Sequence, residues 1–193
     1  MQGAAPPCAR HSDCDAGRGP LACPHVPATH LPSRARLRPA RRADLQALLA
    51  LEQRSFRGDR LSARQFRHHQ RNPAAWFAVA GPPSDPQGMA LVFFRRGSRV
   101  ARLYSILVAP AARGRGLGLR LLRAAEAAAQ RRGCRELRLE VRVDNATALG
   151  LYEGAGYRRL ARLPRYYEDG GDGWRHARRL GPPARNRRPP PRP

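Results

Sequence analysis

Apolar residues recur at two spacings along this chain, and each change of spacing marks a new element. Residues 34–39 alternate weakly and predict a first strand. Over 43–56, Leu45, Leu48, Leu49 and Leu51 fall at helical spacing. Ser62 with Gln65 forms a capping box, flanked by Leu61 and Phe66 as a hydrophobic staple, so a short helix begins there. Residues 75–80 and 88–96 carry the apolar runs of strands. Turns at 81–87 and 97–98 connect them to a third strand over 100–109, which makes an antiparallel meander. A helix then places Leu117, Leu121, Leu122, Ala125 and Ala128 on one face and ends at Gly133. Residues 136–142 alternate strictly, with Leu137, Leu139 and Val141 on one face and Glu136, Arg138, Glu140 and Arg142 on the other. Asp144-Asn145 caps a further helix running to about Glu153, and 156–162 and 174–180 are the last strands. The last is more basic than an alternating core strand, which predicts an edge with Arg facing solvent. The sum is an α/β sandwich built on a mixed sheet.

Composition sets the limits of this domain. Residues 1–33 are rich in Pro, Gly, Cys and His without apolar period and read as a disordered leader. Residues 182–193 are a Pro/Arg tail that cannot join a helix or sheet ladder. One domain remains, 34–181, long enough to bury its own core. No apolar run approaches the roughly 20 residues of a membrane helix, and the N-terminus has no signal-peptide pattern, so a cytoplasmic protein is expected. Cys8, Cys14 and Cys23 lie near histidines at irregular spacings without CxxC, so no metal site is expected. Cys134 is expected to pack as a small apolar residue.

The formal net charge is +23, and all 37 basic residues are Arg. Such a balance suggests a polyanion partner. The absence of Lys beside plentiful Ala and Pro also fits a GC-rich coding sequence. Residues 34–181 hold 31 arginines against 12 carboxylates, spread along the domain. Nucleic acid is therefore not expected as the main partner, and an acidic or ribosome-like surface fits better.

The chemistry concentrates in one junction. Arg113-Gly114-Arg115-Gly116-Leu117-Gly118 lies between a strand and a helix. Glycines there let backbone N–H groups converge at the positive end of the helix, which is an anion site suited to a pyrophosphate. The dinucleotide GxGxxG and the P-loop GxxxxGK[ST] are both absent. Arg113-x-x-Gly116-x-Gly118 resembles the Q/R-x-x-G-x-G/A loop of the GCN5-related (GNAT) N-acetyltransferases. Leu139-Glu140-Val141-Arg142, Asn145, Ala148, Leu151-Tyr152 and Gly156-Tyr157 resemble the same family's next segment. Tyr166-Tyr167-Glu168-Asp169-Gly170 is similar to the YY…DG segment of its bacterial ribosomal-protein-alanine branch.

The resemblance implies a GNAT-type α/β fold, with a mixed, mostly antiparallel central sheet flanked by helices on both faces, and acetyl-CoA as co-substrate. It implies that the backbone from Arg113 to Gly118, including Gly114, Arg115 and Leu117, holds the pyrophosphate. The strand end Leu107-Val108 should splay from the strand carrying Glu140, with the pantetheine arm between them. A backbone N–H near Val108 should polarise the thioester carbonyl. Glu140 is implied as general base, directly or through water, Tyr152 as general acid, and Asn145 as helix cap and cofactor contact. Tyr166 and Tyr167 are implied to line the acceptor pocket. An amine is mostly protonated near neutral pH and needs a base, while a phenol keeps its proton to donate. Residue by residue, Glu140 also fits an ion pair between Arg138 and Arg142, Tyr152 a core tyrosine, and Tyr166-Tyr167 plain packing. The acceptor is expected to be a peptide or protein N-terminal α-amine, including that of a ribosomal protein. A small amine or a non-catalytic RNA- or ribosome-binding module are the alternatives.

Overall fold

The computed structural model describes residues 35–55 and 60–182. The expected leader, its cysteines, the tail from 183 and the helix end at Phe56 lie outside the described residues. A seven-stranded sheet runs in the order β1-β2-β3-β4-β5-β7-β6. Its strands are β1 (Leu37–Pro39), β2 (Ala75–Ala80), β3 (Gly88–Phe94), β4 (Val100–Val108), β5 (Glu136–Arg142), β6 (Arg158–Leu163) and β7 (Gly173–Arg179). Every neighbouring pair is antiparallel except β4 and β5, which are parallel.

Strand alternation assigns the two faces. Phe77, Val79, Met89 and Leu91 point to one side, where α1 (Leu45–Ser55) contributes Leu48 and Leu51 and α2 (Ala63–Arg71) contributes Phe66. Ala80, Ala90, Val92, Leu137, Leu139 and Val141 point to the other. There they meet Leu121, Leu122 and Ala125 of α3 (Leu117–Arg131) and Tyr152 of α4 (Ala146–Gly154). The start of α2 is the capping box read from sequence: Gln65 N–H donates to Ser62 Oγ at 3.3 Å and Ser62 N–H to Gln65 Oε1 at 2.8 Å. Cys134 is buried just before β5, as expected.

The basic segment 174–180 is not an edge. β7 lies between β5 and β6, and β6 is the edge, exposed along nearly its whole length. Neighbouring carboxylates make an interior position tolerable for β7. Arg175 Nε donates to Glu140 Oε1 at 3.0 Å, and Arg178 Nη1 donates to Glu126 Oε1 at 2.7 Å. Its histidine, His176, is fully buried, and burial pushes the imidazole below its usual range. Charge alone cannot reveal an interior strand whose cations are answered from elements distant in sequence.

Glu126 closes the α3 side of this arrangement. It is buried, accepts from Arg123, Arg178 and the Tyr157 hydroxyl, and thereby joins α3 to β7 and the α4–β6 turn. Replacing Glu126→Ala leaves a buried hydroxyl and a half-buried guanidinium without their acceptor. Urea denaturation is expected to show a loss of about 2 kcal/mol, with Glu126→Gln losing less. Burial also raises the phenols of Tyr152 and Tyr157 above their ordinary value of about 10. A raised folded value means stability that is complete below that pH and lost as pH climbs above it. Alkaline titration should show these two phenols ionising only as the fold opens, with the unfolding free energy falling steadily above about pH 10.

Candidate active site

The site begins with one extra residue in β4. The β3–β4 register pairs Leu91 with Ser105 but Val92 with Leu103, so Tyr104 is a bulge. A bulge bends its strand and increases the local twist. On its other side β4 pairs with β5 only through Val100–Leu103 against Glu136–Leu139. Past the bulge β4 continues to Val108 and β5 to Arg142 without pairing to each other, and a wedge opens between them.

The backbone phase decides what faces the wedge. Ala109 N–H donates to Gln87 O at 2.8 Å, so the amides of Ala109 and Leu107 point to β3. The amides of Val108 and Ile106 then point the other way, into the wedge. Leu107 frames the opening without facing it: its side chain is buried in the α1/α2 layer. Ile106 is the wedge amide that sequence reasoning missed, and strand alternation from Val108 is the signal that finds it.

The glycine-rich turn closes the wide end. Gly114 and Gly116 have φ of +73° and +72°, which favour glycine, and a Cβ at either would meet nothing within 4 Å. Gly116 is the N-cap of α3, and no side chain caps this helix. The helical ladder begins with Arg120 N–H donating to Gly116 O at 3.1 Å, so the amides just before it have no intrahelical acceptor. Arg113 Nε donates to Val108 O at 3.4 Å, and Arg115 is exposed. Leu117 is buried in the core, so it offers only its backbone. At Gly118 a Cβ would lie 3.3 Å from Leu151 of α4 and 3.7 Å from Val108 of β4. The turn, α4 and the free end of β4 therefore meet at one point. Open Cβ positions, unanswered helix-start amides and an unpaired strand end together fit a long ligand with a phosphate head.

Glu140 stands on the polar face of β5, and its side chain is 7% exposed. Its partners are not the sequence neighbours Arg138 and Arg142. Arg102 of β4 donates from Nε to Oε2 at 2.8 Å and Arg175 of β7 from Nε to Oε1 at 3.0 Å. Arg138 pairs with Glu136, and Arg142 with Asp169 and Asp144. Both guanidiniums on Glu140 are more than a third exposed, while the carboxylate between them is nearly buried, so loss of either partner would leave a buried charge less compensated.

Arg102 also donates from Nη2 to the Tyr166 hydroxyl at 2.6 Å. Tyr166 and Tyr167 meet edge to face at 5.1 Å, and Arg142 lies over the Tyr167 ring at 4.7 Å. Gly173 makes room for the pair, since a Cβ there would lie 3.3 Å from the Tyr167 ring. Tyr152 is buried on the α3/α4 face, and Tyr167 is the neighbour that adds to the rise of its phenol. Asn145 caps α4, accepting from Ala148 N–H at 3.1 Å, as read from sequence. Glu140 and Tyr152 thus stand on opposite faces of the sheet. A separate pocket over β2, between α1 and α2, is lined by Leu45, Phe66, Phe77 and arginines, with no carboxylate or nucleophile.

The sequence model of the acetyltransferase (GNAT) family matches residues 45–157. N-alpha-acetyltransferase RimI of Mycobacterium tuberculosis is 35% identical over 156 residues, covering 74% of this chain and 91% of that protein. N-alpha-acetyltransferase 30 of Saccharomyces cerevisiae is 43% identical over 63 residues, covering 33% of this chain. This chain spans only 36% of that yeast protein. The ribosomal-protein-S18-alanine N-acetyltransferase of Escherichia coli superposes with a TM-score of 0.67 at 26% identity, covering 78% of this chain and 97% of that one. With a bulged, splayed sheet, a glycine-rich helix start and a family match over most of the domain, the chain belongs to the GNAT acetyltransferase family.

Proposed function

We propose that this chain transfers an acetyl group from acetyl-CoA to the N-terminal α-amine of a peptide or protein. The wedge between β4 and β5 is the observation that carries the reading. The strand-end amide of Val108, the glycine-rich turn at 113–118 and the side chains of Glu140 and Tyr152 on the two faces support this reading.

The chain's own residues divide the work as follows. Helix-start amides and Arg113 hold the anionic head of the donor. The amides of Val108 and Ile106 donate to the carbonyl oxygen as negative charge develops on it. Glu140 accepts the proton of the acceptor ammonium, through water while its oxygens hold Arg102 and Arg175. Tyr152, kept protonated by burial, donates to the departing thiolate. Tyr166 and Tyr167 line the acceptor's approach, and Asn145 fixes the helix that carries Tyr152. The acting unit is the domain 34–181, in the cytoplasm, and ribosomal proteins are among its acceptors. Among the described residues no helix is long and apolar enough to cross a membrane. The names of the relatives, two of them N-alpha-acetyltransferases, support an α-amine acceptor over a small-molecule amine. The cationic surface also disfavours polyamines.

A thiol-release assay with acetyl-CoA and a panel of N-terminal peptides tests this reading. Glu140→Gln and Tyr152→Phe are each expected to lower kcat by about 100-fold or more while KM for acetyl-CoA stays within a few-fold. No thiol release with any peptide from the folded wild-type protein would sink it.

A further inference from the structure

Two arginines share one carboxylate at the face where an acceptor amine must arrive. Glu140 accepts from Arg102 Nε at 2.8 Å and from Arg175 Nε at 3.0 Å, one on each oxygen. The neighbouring carboxylates Glu136 and Asp169 are held instead by Arg138 and Arg142. The group around the proposed base therefore carries one positive charge in excess before any acceptor binds.

Arg102 is held at several points. Its Nη2 donates to the Tyr166 hydroxyl at 2.6 Å, and its guanidinium carbon lies 5.7 Å from the centre of the Tyr104 ring. Tyr104 is steadied in turn by Phe93, 5.0 Å away, and by His69 of α2, 6.1 Å away. A cation fixed in this way has little freedom left to lose when it binds an anion. Its hydrogen bonds use Nε and Nη2, and those of Arg175 use Nε, so further N–H groups of both remain for a ligand. The Tyr166 hydroxyl, while accepting from Arg102, keeps its own hydrogen to donate.

These donors lie on open surface. The apolar layer under α1 and α2 draws on β2, β3 and β4 and takes no residue from β5 or β7. Past Tyr104 the same face is polar, with the Arg102 and Arg175 side chains 45% and 38% exposed. Tyr104 and Tyr166 are themselves exposed.

Electrostatics then select among acceptors. An acceptor brings its α-ammonium to Glu140. With an uncharged side chain beside that ammonium, three cations face one nearly buried carboxylate. With a carboxylate beside it, partners can exchange: the acceptor carboxylate takes the open edge of Arg102, and Glu140 Oε2 turns to the ammonium. Every charge keeps a partner through this exchange. A basic side chain would add a fourth cation. Arg102 bonds the carboxylate that meets the ammonium, so the selected side chain lies within a residue or two of the acceptor's N-terminus, at about 3.8 Å per residue.

We propose, resting on the acetyl-transfer reading, that the preferred acceptor is acidic, a peptide with Asp or Glu among its first two residues, and that Arg102 selects it. Paired N–H groups of a guanidinium match the edge of a carboxylate, which gives Arg102 an advantage that a lysine would lack.

Steady-state kinetics of the full chain with acetyl-CoA test this, using peptides of one common body that begin Asp-Ala, Ala-Asp, Ala-Ala and Ala-Arg. The better acidic peptide is expected to exceed Ala-Ala in kcat/KM by about tenfold or more, and Ala-Arg by a larger factor. In Arg102→Gln the acidic-to-neutral ratio should fall close to one, while Arg102→Lys should keep part of it. Arg131→Gln, which removes one exposed charge from the end of α3, should leave the ratio as in the wild type. A ratio of two substrates on one variant is unaffected by a general loss of active protein. Ala-Ala or Ala-Arg acetylated as efficiently as the acidic peptides would overturn the proposal and leave acetyl transfer standing. A ratio that survives Arg102→Gln, or that falls as far in Arg131→Gln, would overturn it too. No thiol release with any of the peptides would remove the acetyl-transfer reading and the acidic preference together.

Discussion

Everything at the candidate site depends on the bulge at Tyr104. A parallel pair such as β4 and β5 would otherwise continue its ladder and satisfy its own amides. One extra residue in β4 shortens that ladder to four register pairs, Val100–Leu103 against Glu136–Leu139. The amides of Ile106 and Val108 therefore point away from β3, past the end of that ladder. The same divergence lies between Glu140 on one face of the sheet and Tyr152 on the other. Gly88 supports the geometry from β3, where a Cβ would come 2.7 Å from Leu107 O. The free half of β4 therefore stays held on its β3 side while its β5 side remains open.

A second constraint is the distribution of carboxylates. Few carboxylates serve many arginines, and two with little exposure are shared. Glu140 joins β4 to β7 through Arg102 and Arg175, and Glu126 joins α3 to β7 and Tyr157. These pairings let a strongly basic strand occupy the interior of the sheet. As an ion-pair centre Glu140 ties three strands together, and the base role proposed for it would require one of its partners to move aside.

Local signals made much of the fold legible. The Ser62–Gln65 box, the strict alternation of 136–142, the Asn145 cap and the apolar face of α3 all reappear in the structure because each is written within a few residues. The glycine-rich turn was legible for the same reason. Three features were not. The interior place of β7 depends on Glu126 and Glu140, which lie 52 and 35 positions away. The partners of Glu140 come from other strands, so neighbours in sequence pointed to the wrong arginines. The bulge at Tyr104 is a mismatch of register between two strands, and neither strand alone carries it.

Amide hydrogen exchange with and without acetyl-CoA tests the central claim, that the wedge is where the donor lies. The account predicts slower exchange for the amides of Ile106 and Val108 and for residues 114–119, with β2 and β3 unchanged. Unchanged exchange at those amides under saturating acetyl-CoA, or protection confined to the pocket between α1 and α2, would contradict it.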